Sequence, residues 1–346
     1  MSKSTLSGKA LVMQIDREHI RIAQTVLGAA WSQLTSMKVL DTPYGAVEDG
    51  ELRQIDTLRE VIGAALQDPE LHRIRQVVVT LCTSQIITEK VSVPKVSGAK
   101  LEALLTANLD VYFPVDVRDY LIAHQQVGES VSKQGAPEQQ LQLWATPKSL
   151  VAPYYTLLNS LGLSVVMVDW FGRSLATAVS ASFIEPGMAV GRKKKPVKAA
   201  AVGADGAPVS EDAEQASVSD GSAVTLYAAA EPDHLLMTFV QSGHVKLQRL
   251  LPRNGGDGEF YEAQLVMDYF HETGAGRGSS IQGRLVGSLP GLSDYAERLA
   301  AELDIPVRVL SSGYDPEWYI CAGAAMAELD RSEEHTSELQ SRSDLV

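Results

Sequence analysis

The chain has 346 residues, 45% of them hydrophobic, with a formal net charge of −13. That length suggests two domains with apolar mass enough for sizeable cores, and the acidic balance argues against a nucleic-acid binder. Two cysteines, Cys82 and Cys321, are too few for a disulfide framework and read as buried small apolar residues in a reducing cytoplasm.

Residues 1–9 are mostly polar, and the apolar stretch after them is too short for a signal peptide. No run of about 18 apolar residues occurs, so a membrane role is expected to come through a partner instead of a span. The first elements lie in ALVMQIDREHIRIAQ, Ala10 to Gln24. Leu11, Val12, Met13 and Ile15, then Ile20 and Ile22, read as two strands joined by the charged turn Asp16-Arg17-Glu18-His19. A phosphate loop between strands needs glycine, so that backbone N–H groups can approach the anion. This turn has none.

Gln76 to Pro94 is rich in β-branched residues and reads as strand. Ser97 is expected to cap a helix with Leu101, Leu104, Leu105 and Leu109 on one face. The segment QLQLWAT reads as a strand, with Thr146 and Pro147 as an N-cap and first-turn pair. Leu150, Tyr154, Leu157, Leu158 and Leu161 form a helical stripe ended by Gly162. Pro153 inside it predicts a kink or a late start. LSVVMVDW is another strand, followed by a short helix through Leu175 and Val179.

Residues 185–222 are rich in Ala, Gly, Ser, Pro and charge, and hold no aromatic residue. Such a stretch buries too little apolar surface to offset its ordering entropy, so a disordered linker is expected. Its Arg192-Lys193-Lys194-Lys195 cluster reads as solvated charge or as a weak attraction to an anionic membrane surface. Beyond it AVTLYAAA and HLLMTFVQSGHVKLQRLL read as a strand and a hairpin turning at Ser242-Gly243. FYEAQLVMDYFHET reads as helical. A helix with Leu292, Ala296, Leu299 and Leu303 on one face then leads into a strand. Alternation of strands and helices in both halves implies an α/β protein with two related sheets. From Arg331 the chain is polar without apolar period and resembles the translation of a sequencing-library adapter, so residues 331–346 are expected to lie outside the fold.

Chemical motifs are sparse. The seven histidines have no metal-ligand spacing, and no HExxH, CxxC, GxSxG or Walker A sequence occurs. Gly274 to Ser279 follows a helix-like stretch and reads as a loop, since a dinucleotide fingerprint needs a strand before it. No catalytic and no metal-binding residue is expected.

Four segments in order resemble the PilM family of type IV pilus assembly proteins, from about Leu11 to about Leu329. Val93-Pro94-Lys95 leads into the Leu101–Leu109 helix and the turn Tyr112-Phe113-Pro114. WATPKSLVAPYYTLLNSLGLSVVMVDWFGRSLATAV is similar to the family's next block, and GSLPGLSDYAERLAAELDIPVRVL to its C-terminal glycine-rich block. The resemblance implies an actin-like, FtsA-like α/β fold: domain I at residues 1–184 with a subdomain inserted at about 91–145, the linker 185–222, and a reduced domain II at residues 223–330. It also implies a cytoplasmic scaffold, peripheral to the inner membrane, that binds the short cytoplasmic tail of the membrane protein PilN. The motor ATPase of the pilus and other assembly components are further partners it suggests. Leu101, Leu104, Leu105, Tyr112 and Phe113 are the partner-binding candidates, with ordinary core as the alternative for the leucines.

Family members bind ATP in the interdomain cleft, and here the sequence departs from the family. Gln14 stands at the aspartate of the first phosphate loop and Asp16 at its glycine. In the second loop an alanine stands at or near the aspartate and Glu231 at or near the glycine. The adenosine block keeps only Gly283 and Gly287. Losing the aspartates removes the groups that organise Mg²⁺ and water. Carboxylates at the glycine positions would repel phosphate by roughly 1 kcal/mol at about 4 Å in water and severalfold more in a cleft. The helical subdomain between the second hairpin and the next helix is expected to be mostly deleted. The expectation is a scaffold that binds no cofactor and is no enzyme, a pseudo-ATPase. The alternatives are an ATP- and Mg-binding member, or the cytoplasmic arm of a type II secretion L-type protein.

Overall fold

The structure is a computed structural model describing residues 8–27, 34–132, 134–182, 223–241, 244–253, 256–272, 279–310 and 315–333. The whole expected linker 185–222 with its Arg192–Lys195 cluster, the Ser242-Gly243 turn, residues 274–278 of the glycine-rich stretch and the tail after Glu333 lie outside the described residues.

The first half opens with β1 (Gly8–Ile15), β2 (His19–Leu27) and β3 (Thr35–Asp41). A short pair, β4 (Val47–Glu48) and β5 (Glu51–Leu52), leads into helix α1 (Ile55–Ala65) and strand β6 (Gln76–Leu81). An inserted unit follows: β7 (Ile87–Pro94), α2 (Ala99–Thr106), α3 (Leu109–Tyr112), β8 (Tyr120–Val131) and β9 (Pro137–Pro147). Then come α4 (Lys148–Ser160), β10 (Ser164–Trp170) and α5 (Phe171–Ser182). The second half is β11 (Val224–Ala230), β12 (His234–Gln241), β13 (His244–Pro252), α6 (Gly258–Glu272), β14 (Ile281–Val286), α7 (Leu292–Leu303), β15 (Val307–Val309) and α8 (Tyr319–Glu333). Residues 253–257 alone separate β13 from α6, too few for a subdomain.

The two main sheets repeat one topology. The first has the order β10-β6-β1-β2-β3, and the second, read from its other end, β15-β14-β11-β12-β13. In each, an antiparallel three-strand meander joins two parallel strands. Alternation explains the layering. Leu11, Met13, Ile15, Ile20 and Ile22 face α1 and α4, while Val12 and Ala23 face α8. In the second sheet Leu226, Ala228, Met237 and Phe239 face α6 and α7, while Tyr227, Ala229 and Leu236 face α5. Helices α5 and α8 pack on each other between the sheets, so α8 crosses back from the second half to the first. They cross where Gly323 meets Ser174: a Cβ on Gly323 would stand 1.6 Å from the Ser174 carbonyl oxygen.

Several local expectations need correction. The Gln76–Pro94 run is two strands in different sheets, broken at residues 82–86. Ser97 does not cap α2; the N-cap is Gly98, with φ +58° and no side-chain hydrogen bond. Pro147, not Thr146, is the N-cap of α4, and Pro153 does not delay its start, because five residues buried against the first sheet hold the helix. Gly162 ends α4 as expected, with φ +73° and Leu163 N donating to Leu158 O at 3.0 Å. Helix α8 continues through Arg331 to Glu333, into the stretch expected to lie outside the fold. Cys82 and Cys321 are free and buried.

The inserted unit is a three-stranded sheet, β7-β9-β8, with α2 and α3 on one face. Trp144 on β9 meets Trp170 at the end of β10, ring centroids 6.0 Å apart, and so anchors the insert to the first sheet.

Candidate functional site

The β1–β2 and β11–β12 turns face each other across the domain boundary. In the first, Asp16 N donates to His19 O at 3.0 Å, closing the turn. Asp16 Oδ1 accepts from the backbone N–H of Glu18 at 3.0 Å and of His19 at 2.7 Å. These are N–H groups of the kind a glycine loop would present to phosphate, and here the turn's own carboxylate occupies them. Asp16 Oδ2 accepts from Gln14 Nε2 at 3.0 Å and from Arg21 Nη1 at 2.9 Å. Gln14, expected at the lost aspartate, thus supports Asp16, and its Oε1 accepts from Cys321 Sγ on α8.

The second turn closes in the same way, Glu231 N donating to His234 O at 2.9 Å. Arg21 Nη2 reaches across to Glu231 Oε2 at 2.9 Å and to Ser288 Oγ at 3.2 Å. Ser288 Oγ also donates to the Glu231 carboxylate. Arg253 Nη1 donates to Glu231 O at 2.6 Å. The side chains of Arg21, Asp16 and Glu231 are 0%, 2% and 3% exposed. Burial opposes a charge on Arg21, but Glu231 and Asp16 hold the guanidinium firmly protonated.

Beside this bridge lies a second cross-domain contact. Cys82, just past β6, has Sγ 3.6 Å from His234 Nε2, and His234 Nδ1 is 2.7 Å from Asp233 Oδ1. Burial pushes the Cys82 thiol up to about 12, with His234 only partly offsetting it. Burial opposes a charge on His234, yet its pKa is raised; since Cys82 is a neutral thiol, Asp233 is the cause we assign. The order thiol, imidazole, carboxylate matches a nucleophile, its base and an orienting acid. A thiol held protonated by burial is the opposite of what that chemistry needs. Neither described cavity borders Cys82.

The site follows the fold's duplication. Asp16-Arg17-Glu18-His19 and Glu231-Pro232-Asp233-His234 stand at equivalent turns, and strand register makes Cys82 and Ser288 equivalent. Asp16 and Glu231 were expected at the phosphate loops. Arg21, Cys82, His234 and Ser288 were not, although the repeated acid-x-acid-His pattern was a signal in the sequence.

The two glycines of the adenosine block have packing reasons. A Cβ on Gly283 would stand 2.6 Å from Val307 Cγ2. At Gly287, φ is +127° and a Cβ would stand 2.0 Å from Ala230 O. Past them a cavity of about 350 Å³ lies between the starts of α6 and α7, flanked by Arg298 over Phe260 and by Arg253 over Tyr295. These residues fit a magnesium–phosphate group poorly. The turn amides are taken, the carboxylates carry the wrong charge, and Arg21 is committed to both acids. Among the described residues no group of three or more His, Cys, Asp or Glu could hold a metal ion.

The partner candidates lie on the inserted unit. Leu101, Leu105 and Phe113 are buried in its core with Leu141 and Leu143. Leu104 and Tyr112 are half-buried at its surface, beside Val111, which is 79% exposed. Among the described residues no helix is long and apolar enough to cross a membrane.

A family profile described as type IV pilus assembly protein PilM matches residues 13–211, more than half of the chain. A solved PilM–PilN type IV pilus biogenesis complex contains a chain 15% identical, with a TM-score of 0.70 over 92% of this chain and 98% of that one. The cytoplasmic domain of EpsL, an inner-membrane component of the type II secretion system of Vibrio cholerae, is 14% identical, with a TM-score of 0.48 over 96% and 98%. A Bacteroides thetaiotaomicron protein with actin-like ATPase fold and unknown function is 11% identical, with a TM-score of 0.43 over 90% and 94%. No curated protein matches the sequence. The duplicated two-domain architecture is the actin-like fold expected from the sequence.

Proposed function

The chain belongs to the PilM family of type IV pilus assembly proteins, and from that membership we propose that it is a scaffold that binds no nucleotide and catalyses no reaction. It captures the short cytoplasmic tail of a PilN-like inner-membrane protein, and so sits at the cytoplasmic face of that membrane through its partner. The buried Asp16–Arg21–Glu231 bridge carries the nucleotide-free part of the reading, because it satisfies from within the charges and amides that phosphate would use. The partner part draws on the PilM–PilN complex among the similar structures.

Tail capture falls to the surface of the inserted unit, where Leu104 and Tyr112 offer apolar contact and Leu101, Leu105 and Phe113 support them from beneath. Calorimetric titration with a peptide of the cognate PilN-like tail is expected to give micromolar binding. Tyr112→Ala is expected to weaken it by about tenfold, as loss of an aromatic anchor does. Absence of heat with the peptide overturns the adaptor reading. The second reading, an ATP-binding member, draws on the cavity beside Tyr295. Mg²⁺-dependent binding of a fluorescent ATP would establish it and overturn the nucleotide-free one.

A further inference from the structure

We infer that the two facing turns are a built-in latch that holds the domains closed, with Arg21 as its bolt and the Cys82–His234 contact sealed behind it. The inference deepens the nucleotide-free reading: a side chain, not a ligand, ties the two halves across the cleft. It rests on geometry. Arg21 issues from β2 of the first domain and bonds Glu231 and Ser288 of the second. Cys82 issues from the end of β6 and meets His234 at the start of β12. Both contacts cross the boundary, and both are buried.

The bonding within each half makes this a latch and not a weld. If the domains part, Arg21 keeps Asp16, and Asp16 keeps Gln14 and the amides of Glu18 and His19. Glu231 keeps the Ser288 hydroxyl, and His234 keeps Asp233. No buried charge is left bare, so the open state costs only the cross-domain bonds and the apolar contact around them. Cys82 would then meet solvent. Cys321 would not, because it is packed among Val12, Val78 and Met167 of the first sheet, within one domain.

The two thiols therefore report opening and unfolding separately. The full chain is labelled under native conditions with N-ethylmaleimide, and each cysteine is followed by peptide mass spectrometry. In the wild type both are expected to react slowly. Glu231→Ala removes the receiver but leaves Arg21 paired with Asp16. It is expected to speed Cys82 labelling at least tenfold, with Cys321 within twofold of wild type. Glu231→Gln keeps the shape, removes the charge, and is expected to give a smaller rise at Cys82 alone; it carries the test if the alanine variant fails to fold. Unchanged Cys82 labelling in a folded variant overturns the latch, and so does an equal rise at both cysteines, which means global unfolding. ATP binding to the wild type overturns the nucleotide-free reading without touching this result.

Discussion

Arg21→Ala tests the ionic account directly, because it leaves Asp16 and Glu231 buried without the cation they share. Removing one partner of a buried pair costs about 3–5 kcal/mol, since the remaining charge cannot return to water. Two acids are stranded here, but the sum is not doubled. Asp16 keeps two turn amides and the Gln14 amide, and Glu231 keeps Ser288. The expected loss is therefore that of one pair, about 3–5 kcal/mol at pH 7. Urea unfolding followed by fluorescence of the buried Trp144, Trp170 and Trp318 measures it. The combined Asp16→Asn, Arg21→Met, Glu231→Gln variant strands nothing and is expected within about 2 kcal/mol of wild type, as replaced buried ion pairs are. A loss for Arg21→Ala under about 1 kcal/mol at pH 7 refutes the reasoning.

His234 has a raised pKa, so its contribution is complete below its unfolded value of about 6.5 and is lost as pH rises through the folded value. The stability deficit of His234→Gln should thus be larger at pH 6 than at pH 9, and unfolding curves showing the reverse would contradict the assignment. At Gly323, helix propensity favours alanine by about 1 kcal/mol, but the new Cβ would drive into the Ser174 carbonyl. Gly323→Ala is therefore expected to destabilise by about 1–3 kcal/mol in thermal melts; a gain in melting temperature would mean that α5 and α8 separate freely.

What was legible in the sequence was whatever one segment decides alone. The apolar alternation around residues 16–19 marks the hairpin, and β1 indeed ends at Ile15 and β2 begins at His19. Gly162 marks the end of α4 because only a left-handed residue continues the chain there. The split within Gln76–Pro94 was hidden because no glycine or proline marks residues 82–86, where the chain leaves one sheet for another. Strand β3 was hidden because neither of its faces is a clean apolar row: Met37 and Val39 stand on the exposed face, and Ser36 and Lys38 share the half-buried face with Leu40. Asp16 and Glu231 could be placed because strand register carries over between related folds. Arg21 could not: a charged residue among the isoleucines of a strand reads as solvent-facing. Its partner lies 210 residues away, and only the closed pair of domains brings the two together.

The duplication also explains why one cation is enough. Asp16 and Glu231 are equivalent in their turns, but the residues behind them differ between the halves. In the first sheet Gln14 pairs in register with Arg21; in the second, the same positions hold Ala229 and Leu236, buried against α5. Had the polar pair been kept in both halves, a second guanidinium would compete for the same two carboxylates. Had it been lost from both, two buried acids would stand without a cation. One polar half and one apolar half avoid both outcomes. Asp16, one methylene shorter, folds back on its own turn amides and still offers Oδ2 to Arg21. Glu231 carries its carboxylate one bond further, to the guanidinium and the Ser288 hydroxyl. The lengths of the two acids fit their two tasks, and the bridge needs a contribution from each half of the chain to close.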